Sequence, residues 1–322
     1  MTLYKKSLYI LCLFWASWLA YAHPEQDHAK EDQKAIKRIK HSKVFTGKPR
    51  ENNDFKQNGQ WSEVIPWPHV PVSAALLPDG RILSWASNKK NAFPSKKEFT
   101  YTATWNPYTG EFKEIPHDQH DMFCGHQVIL NDGRIFVNGG RNLVKTTSIF
   151  NYQTDAWDIV QPMNRGRWYP TSIALPDNRV LTLLGWGGGK YPEIWDEQNG
   201  WTVLNQIDLT APILSFKNYF EYNWSPLITL APNGQILHFG PTPNMHWLSV
   251  ENRGQIIPAP TENKFSFYPK ESTSVLYSEN QMLISGGSVS HKNEHSTQQA
   301  AILQMDDERV TVTPIEAMHY AR

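Results

Sequence analysis

Cysteine is almost missing from this chain: Cys12 and Cys124 are the 2 cysteines among 322 residues, too few for a disulfide-built scaffold. An excess of charge of either sign is missing as well. Lys and Arg total 31 against 31 Asp and Glu, which argues against a basic nucleic-acid binder and an acidic solvating tail. Long apolar runs are scarce. The run from Leu8 to Leu19 is shorter than the ~18 to 20 residues that span a bilayer, and nothing later is longer or more apolar, so no stable membrane insertion is expected of the mature chain. What the chain has in quantity is aromatic and turn-forming: 13 Trp, 13 Tyr, 14 Phe, 19 Gly and 22 Pro. That composition excludes general disorder and a helical bundle and favours a β-rich fold. Length alone suggests two domains, although one all-β domain reaches ~250 residues.

Lys5 and Lys6 before the apolar run, and Ala20-Tyr21-Ala22 after it, carry the pattern of a secretory signal peptide over residues 1–22. The mature chain is then expected to begin near His23, in a secreted or periplasmic setting. Loss of Cys12 with that segment leaves Cys124 as a lone thiol in an oxidising compartment. Residues 23–60 are dense in charged and amide side chains and poor in large apolar ones, as expected of a flexible charged leader. Lys34 to Lys40 within it admits a short basic amphipathic helix, but a solvated charge run is the simpler reading.

From Trp61 onward one pattern recurs. An apolar segment, a turn and an alternating strand appear in Ala74 to Leu83, Val128 to Val137, Ile173 to Leu181, Leu227 to Leu237 and Ser274 to Ile284. Asp-Gly and Asn-Gly between alternating apolar runs predict β-hairpins, with both central residues of the turn at positive φ. The turn residues Gly80, Gly133, Asn178, Gly234 and Asn280 are spaced by 53, 45, 56 and 46 residues. That is the period of four-stranded propeller blades and too long for leucine-rich or ankyrin arrays. Glycine after the second strand, at Gly139-Gly140, Gly185, Gly240 and Gly286-Gly287, fits kelch-type blades with close backbone approach. The expected fold is therefore all-β, a kelch-type β-propeller of about five blades over residues 61–322. A β-sandwich is the alternative, and it has no such long internal period.

Fold does not settle function. The segment His117-Asp118-Gln119-His120-Asp121-Met122-Phe123-Cys124-Gly125-His126 gathers three His, two Asp and the lone mature Cys. Imidazole and thiolate suit Zn or Cu, yet the spacing matches no standard zinc motif, and a blade-joining loop with solvated His is the stronger reading of the segment taken alone. A second constellation lies one blade on. Asp121-Met122-Phe123-Cys124 opens the second hairpin and Arg167-Trp168-Tyr169-Pro170 opens the third, so Cys124 and Tyr169 hold equivalent places in neighbouring blades.

These two segments, in register with the blades and with Gly185-Trp186-Gly187-Gly188-Gly189 and Gly240-Pro241-Thr242-Pro243-Asn244-Met245-His246-Trp247 behind them, resemble the galactose oxidase and glyoxal oxidase group of copper-radical oxidases. The resemblance implies that Cys124 is bonded through sulfur to the ring of Tyr169 as a thioether redox cofactor, and that Tyr169 is also a copper ligand. It implies that Trp186 is the indole shielding that ring. It further implies an oxidoreductase that turns primary alcohols or aldehydes into oxidised products with dioxygen, releasing hydrogen peroxide. Copper is the implied metal and a small-molecule alcohol, aldehyde or glycan the implied partner.

The chain also departs from that pattern. The family's later Tyr-His pair and further His ligand are not matched. His319-Tyr320 has the reverse order, His246 reads as a packing or channel residue, and His291 and His295 sit in a polar loop that reads as solvated. The family closes seven blades and adds a β-sandwich. The expectation is thus an incomplete ring, truncated at the C-terminus: an inactive fragment or remnant, a chain that a second polypeptide completes, or five blades that close alone. The competing class is a kelch-type binding module whose same loops hold a glycan or a protein.

Overall fold

The structure is a computed structural model that describes residues 63–92, 99–211, 224–242, 244–288, 296–307 and 309–322. The expected signal peptide and leader lie outside the described residues, as do His291 and His295. Trp67–Arg322 forms one compact unit. Its regular elements are almost all strands, so the all-β expectation holds. Among the described residues no helix is long and apolar enough to cross a membrane.

Five sheets, antiparallel except for one edge pair in the last, follow one another along the chain. The first holds β1 (Ser73–Leu76), β2 (Ile82–Trp85), β3 (Thr102–Trp105) and β4 (Phe112–Glu114). The second holds β5 (His126–Ile129), β6 (Ile135–Asn138), β7 (Thr147–Asn151) and β8 (Ala156–Val160). The third holds β9 (Thr171–Ala174), β10 (Val180–Leu183), β11 (Glu193–Asp196) and β12 (Gly200–Val203). The fourth holds β13 (Leu227–Leu230), β14 (Ile236–Gly240), β15 (His246–Ser249) and β16 (Gln255–Pro258). The fifth adds β17 (Thr261–Glu262) beside β21 (Val310–Ile315), β20 (Ala300–Met305), β19 (Gln281–Ser285) and β18 (Thr273–Leu276), with β17 parallel to β21.

Period-two alternation explains how consecutive sheets stack. In each second strand one residue faces the sheet before and the next faces the sheet after. Ile135 and Val137 pack with Leu83 and Trp85 of the first sheet, whereas Phe136 packs with Val180 and Trp195 of the third. Leu181 and Ile194 then meet Ile236 and Leu248, and Leu237 and Trp247 meet Met282 and Leu303. The second strands β6, β10 and β14 are thus buried on both faces.

The hairpins form where expected but with a different turn. Leu77 N bonds Arg81 O at 2.8 Å and Gly80 N bonds Leu77 O at 2.9 Å, and the same pair of bonds recurs around Gly133, Asn178 and Gly234. Only the last turn residue is left-handed, with φ of 84° at Gly80, 85° at Gly133, 69° at Asn178 and 78° at Gly234. This is a type I turn closed by a bulge, not the two-residue turn with both central residues at positive φ. Pro78 and Pro176 suit it, because proline's fixed φ matches the first central position of a type I turn.

Candidate functional site

The site is built at the entrances to the sheets. Two residues before β5, β9, β13 and β18 stand Cys124, Tyr169, Ser225 and Glu271, with φ of 60°, 55°, 44° and 58°. A left-handed conformation at a residue with a side chain costs about 1 to 2 kcal/mol, and four equivalent positions share it. The backbone links them in succession: Tyr169 N donates to Cys124 O at 3.0 Å, and Ser225 N donates to Tyr169 O at 2.9 Å. Cys124 and Tyr169, placed in neighbouring blades by sequence alone, are therefore adjacent.

Their side chains also meet. Burial holds the Cys124 thiol above its ordinary range, while its polar neighbours Tyr169 and Trp168 act in the opposite direction. Burial pushes the Tyr169 phenol up as well, followed by Cys124 and by the negative charge of Glu271. At neutral pH the pair is a neutral thiol beside a neutral phenol. A thiolate is disfavoured there, and joining sulfur to the ring, which replaces an S–H and a ring C–H bond by C–S, is a two-electron oxidation in either protonation state.

Aromatic rings enclose the phenol. Trp168 stacks on Tyr169 at 5.1 Å and 22°, and Trp224 stacks on it at 5.5 Å and 27°. Trp186 sits in a second rank, 5.4 Å from Trp168 and 6.3 Å from Trp224. Its backbone is tied to Trp168 in both directions, at 3.0 and 2.7 Å. Sequence reasoning singled out Trp186 and passed over Trp224. The available signal was positional: Trp224-Ser225-Pro226 opens the fourth hairpin just as Trp168-Tyr169-Pro170 opens the third.

The histidines of the 117–126 segment are used structurally. His120 Nε2 donates to Gly139 O at 2.8 Å, so its Nδ1 accepts from Ser148 Oγ at 2.8 Å. Ser148 Oγ in turn accepts from His117 Nε2 at 2.8 Å, and the His117 ring stacks on Trp157 at 5.3 Å. Burial pushes His117 down to about 4 and His120 down to about 3. His246 is buried on β15, directly across from buried His238 of β14, with ring centroids 5.7 Å apart.

A copper ion needs several donors in fixed geometry. Among the described residues no group of three or more His, Cys, Asp and Glu is placed to hold a metal. Tyr169 offers one oxygen, and both nitrogens of His120 are already committed. The described residues alone do not fit a copper centre.

Comparison with known proteins places relatives beside the chain as a whole. Two curated proteins from Gibberella zeae, each called galactose oxidase, are 28% identical over 283 residues, covering 82% of this chain and 41% of their own length. A solved structure described as a novel fungal alcohol oxidase with catalytic diversity among the AA5 family, in complex with copper, superposes with a TM-score of 0.71 at 26% identity. In sequence and fold the chain is galactose oxidase-like. The likeness to the solved oxidase makes its five sheets propeller blades. The chain spans about two-fifths of the curated relatives it matches, and it covers 56% of the solved oxidase. No family model matches the sequence.

Proposed function

We propose that this galactose oxidase-like chain is exported and carries the cysteine–tyrosine half of an oxidation centre for primary alcohols or aldehydes. The observation that carries the reading is the meeting of the Cys124 thiol and the Tyr169 phenol on two left-handed residues of adjacent blades, inside a shell of indoles. Forming the thioether removes the S–H hydrogen of Cys124 and one ring hydrogen of Tyr169. The two electrons and two protons pass to dioxygen, which becomes hydrogen peroxide. An indole shell excludes water from the oxidised ring and delocalises charge. Copper, where bound, would supply the one-electron chemistry. Because the described residues hold no group of three or more His, Cys, Asp and Glu placed for a metal, this chain by itself is proposed to turn over no alcohol. Residues 61–322 act here as a kelch-type propeller domain, behind a signal peptide and leader.

Intact mass after exposure to Cu(II) sulfate in air tests the reading. The wild-type chain should lose the mass of two hydrogens and its titratable Cys124 thiol, and Cys124→Ala and Tyr169→Phe should each abolish the loss. Full thiol titre and unchanged mass in the wild type would sink the oxidation centre and leave the binding-module reading, in which the same loops hold a glycan or protein. Export is checked separately by N-terminal sequencing of protein from the culture medium or periplasm, which should begin near His23.

A further inference from the structure

One buried ion pair stands just behind the site and takes no part in the chemistry above. Arg167 and Glu193 are 0% and 1% exposed at the side chain, and Arg167 Nη2 reaches Glu193 Oε1 at 2.8 Å. The guanidinium also donates from Nη1 to Leu184 O at 2.7 Å and from Nη2 to Tyr191 O at 3.2 Å. The carboxylate accepts from Asn164 N at 2.6 Å, Asn164 Nδ2 at 2.9 Å and Arg165 N at 3.3 Å. A buried ion pair is weak evidence for stability, since its desolvation cost offsets most of its attraction. Here its partners are mainly backbone groups of two segments: 164–167, which leads into Trp168 and Tyr169, and 184–193, which carries Trp186.

The backbone of Arg167 reaches a third segment. Its carbonyl accepts from Gly140 N at 2.9 Å, and Gly139 leaves no space beside that carbonyl, since a Cβ there would lie 2.5 Å from it. Gly125, next to Cys124, packs against Gly139 in the same manner, with a virtual Cβ 2.7 Å from Gly139 O. The Arg167 head also fills the inside of the glycine-rich loop: a Cβ at Gly188 would lie 2.4 Å from Nη1. Cys124, Tyr169 and Trp186 thus hang from three segments that converge on one residue. Their own φ values give no help, because Cys124 and Tyr169 are at 60° and 55° and Leu184 is at 54°. Left-handed residues revert to extended or helical backbone unless their surroundings hold them.

We infer that Arg167 and Glu193 are positioning residues for the Cys124–Tyr169 pair, with the buried fork of Arg167 fixing the distance between sulfur and ring. The inference rests on the reading of that pair as a thioether precursor. A planar fork is needed because three acceptors lie at fixed angles around the guanidinium, and a lysine ammonium cannot span them.

The double variant Arg167→Met/Glu193→Gln removes both charges while leaving an acceptor for Asn164. Two readings are taken on the full chain. Labelling of Cys124 by iodoacetamide, before any copper is added, should become about tenfold faster, equivalent to ~1.4 kcal/mol of lost protection. After Cu(II) sulfate in air, the loss of two hydrogens should slow by a similar factor, while far-UV circular dichroism and a cooperative melt show the propeller intact. The near-UV signal of the stacked rings should fall in parallel. A folded double variant that labels and cross-links at the wild-type rate would overturn the inference. Should the double variant not fold, Arg167→Lys carries the same two readings, and wild-type behaviour in it would overturn the inference equally. Labelling requires no oxidation, so a wild type that never forms the thioether defeats the functional reading while the positioning role is still decided by thiol protection.

Discussion

At the scale of single residues, the backbone at Cys124 and Tyr169 is unfavourable for both side chains, with φ of 60° and 55°. A residue kept in that conformation against its preference is a residue whose side chain is wanted there. Replacing Cys124 by glycine, which adopts this φ freely, should raise stability over Cys124→Ala by about 1 kcal/mol. Urea unfolding of the two variants checks this, and equal midpoints would show that the backbone relaxes around the site. The indoles divide similarly. Trp224 lies on Tyr169 itself, 5.5 Å away, and Trp186 reaches it through Trp168. Trp224→Ala should therefore expose Tyr169 and quicken Cys124 labelling more than Trp186→Ala does, and the reverse order would return the shielding role to Trp186. The cysteine and tyrosine were legible from their places before equivalent strands. The second indole was not, because stacking depends on the distance between blades far apart in sequence.

At the scale of elements, each of the first three hairpin turns binds its own arginine and lends it to a later blade. Arg81 bonds Asp79 within the turn and Asp155 of the second sheet, at 2.8 and 2.7 Å. Arg134 bonds Asp132 and then Glu197 of the third sheet, and Arg179 bonds Asp177 and then Glu251 beyond β15. In the fourth blade Gln235 replaces the arginine, and Asn233 Nδ2 reaches Asp307 O at 2.9 Å instead. Indole nitrogens make a second stitch: Trp157 donates to Thr102 and Trp201 to Thr147, each one sheet back. Exposed ion pairs of this kind contribute under ~1 kcal/mol each. Arg134→Ala should accordingly cost little and only at low salt, seen as a melting difference that disappears in 1 M NaCl, where the Debye length is about 3 Å. Gly140→Ala should cost far more, because its Cβ would lie 2.1 Å from Asp121 O at a φ of 140°. A melt no lower than that of Arg134→Ala would refute the close approach. Hairpins and glycine positions were readable from the repeat, whereas the turn type was not: Asp-Gly serves two hairpin geometries, and the hydrogen bonds of the closing bulge choose between them.

For the whole molecule, balanced charge leaves burial of neutral imidazoles as a main source of pH dependence. His117 is held at about 4, and His120 and His238 at about 3, all by burial. Unfolded imidazoles titrate near 6.5, so below that pH the unfolded chain takes up protons that the folded chain refuses. Their contribution is complete above pH ~6.5 and is lost as pH falls through 5 towards 4 and 3. The urea midpoint should therefore be lower at pH 5 than at pH 7, and equal midpoints would mean that these rings are hydrated. The apolar clusters between consecutive blades are the other stabilising component, and removing one large member such as Phe136, fully buried between the second and third sheets, should cost about 3 to 5 kcal/mol as alanine.

The sequence by itself determined the all-β class, the number of hairpins and the equivalence of Cys124 and Tyr169, because period, turn residues and alternation are local and repeat along the chain. Only the tertiary structure decided that His117 and His120 flank Ser148 instead of gathering around a metal, that Trp224 stacks on Tyr169, and that Arg167 and Glu193 pair behind it. Each of these depends on which blades lie side by side and at what spacing, and burial between blades keeps the His117 and His120 imidazoles neutral. Periodicity in one chain carries the order of the blades and not the distances across their interfaces.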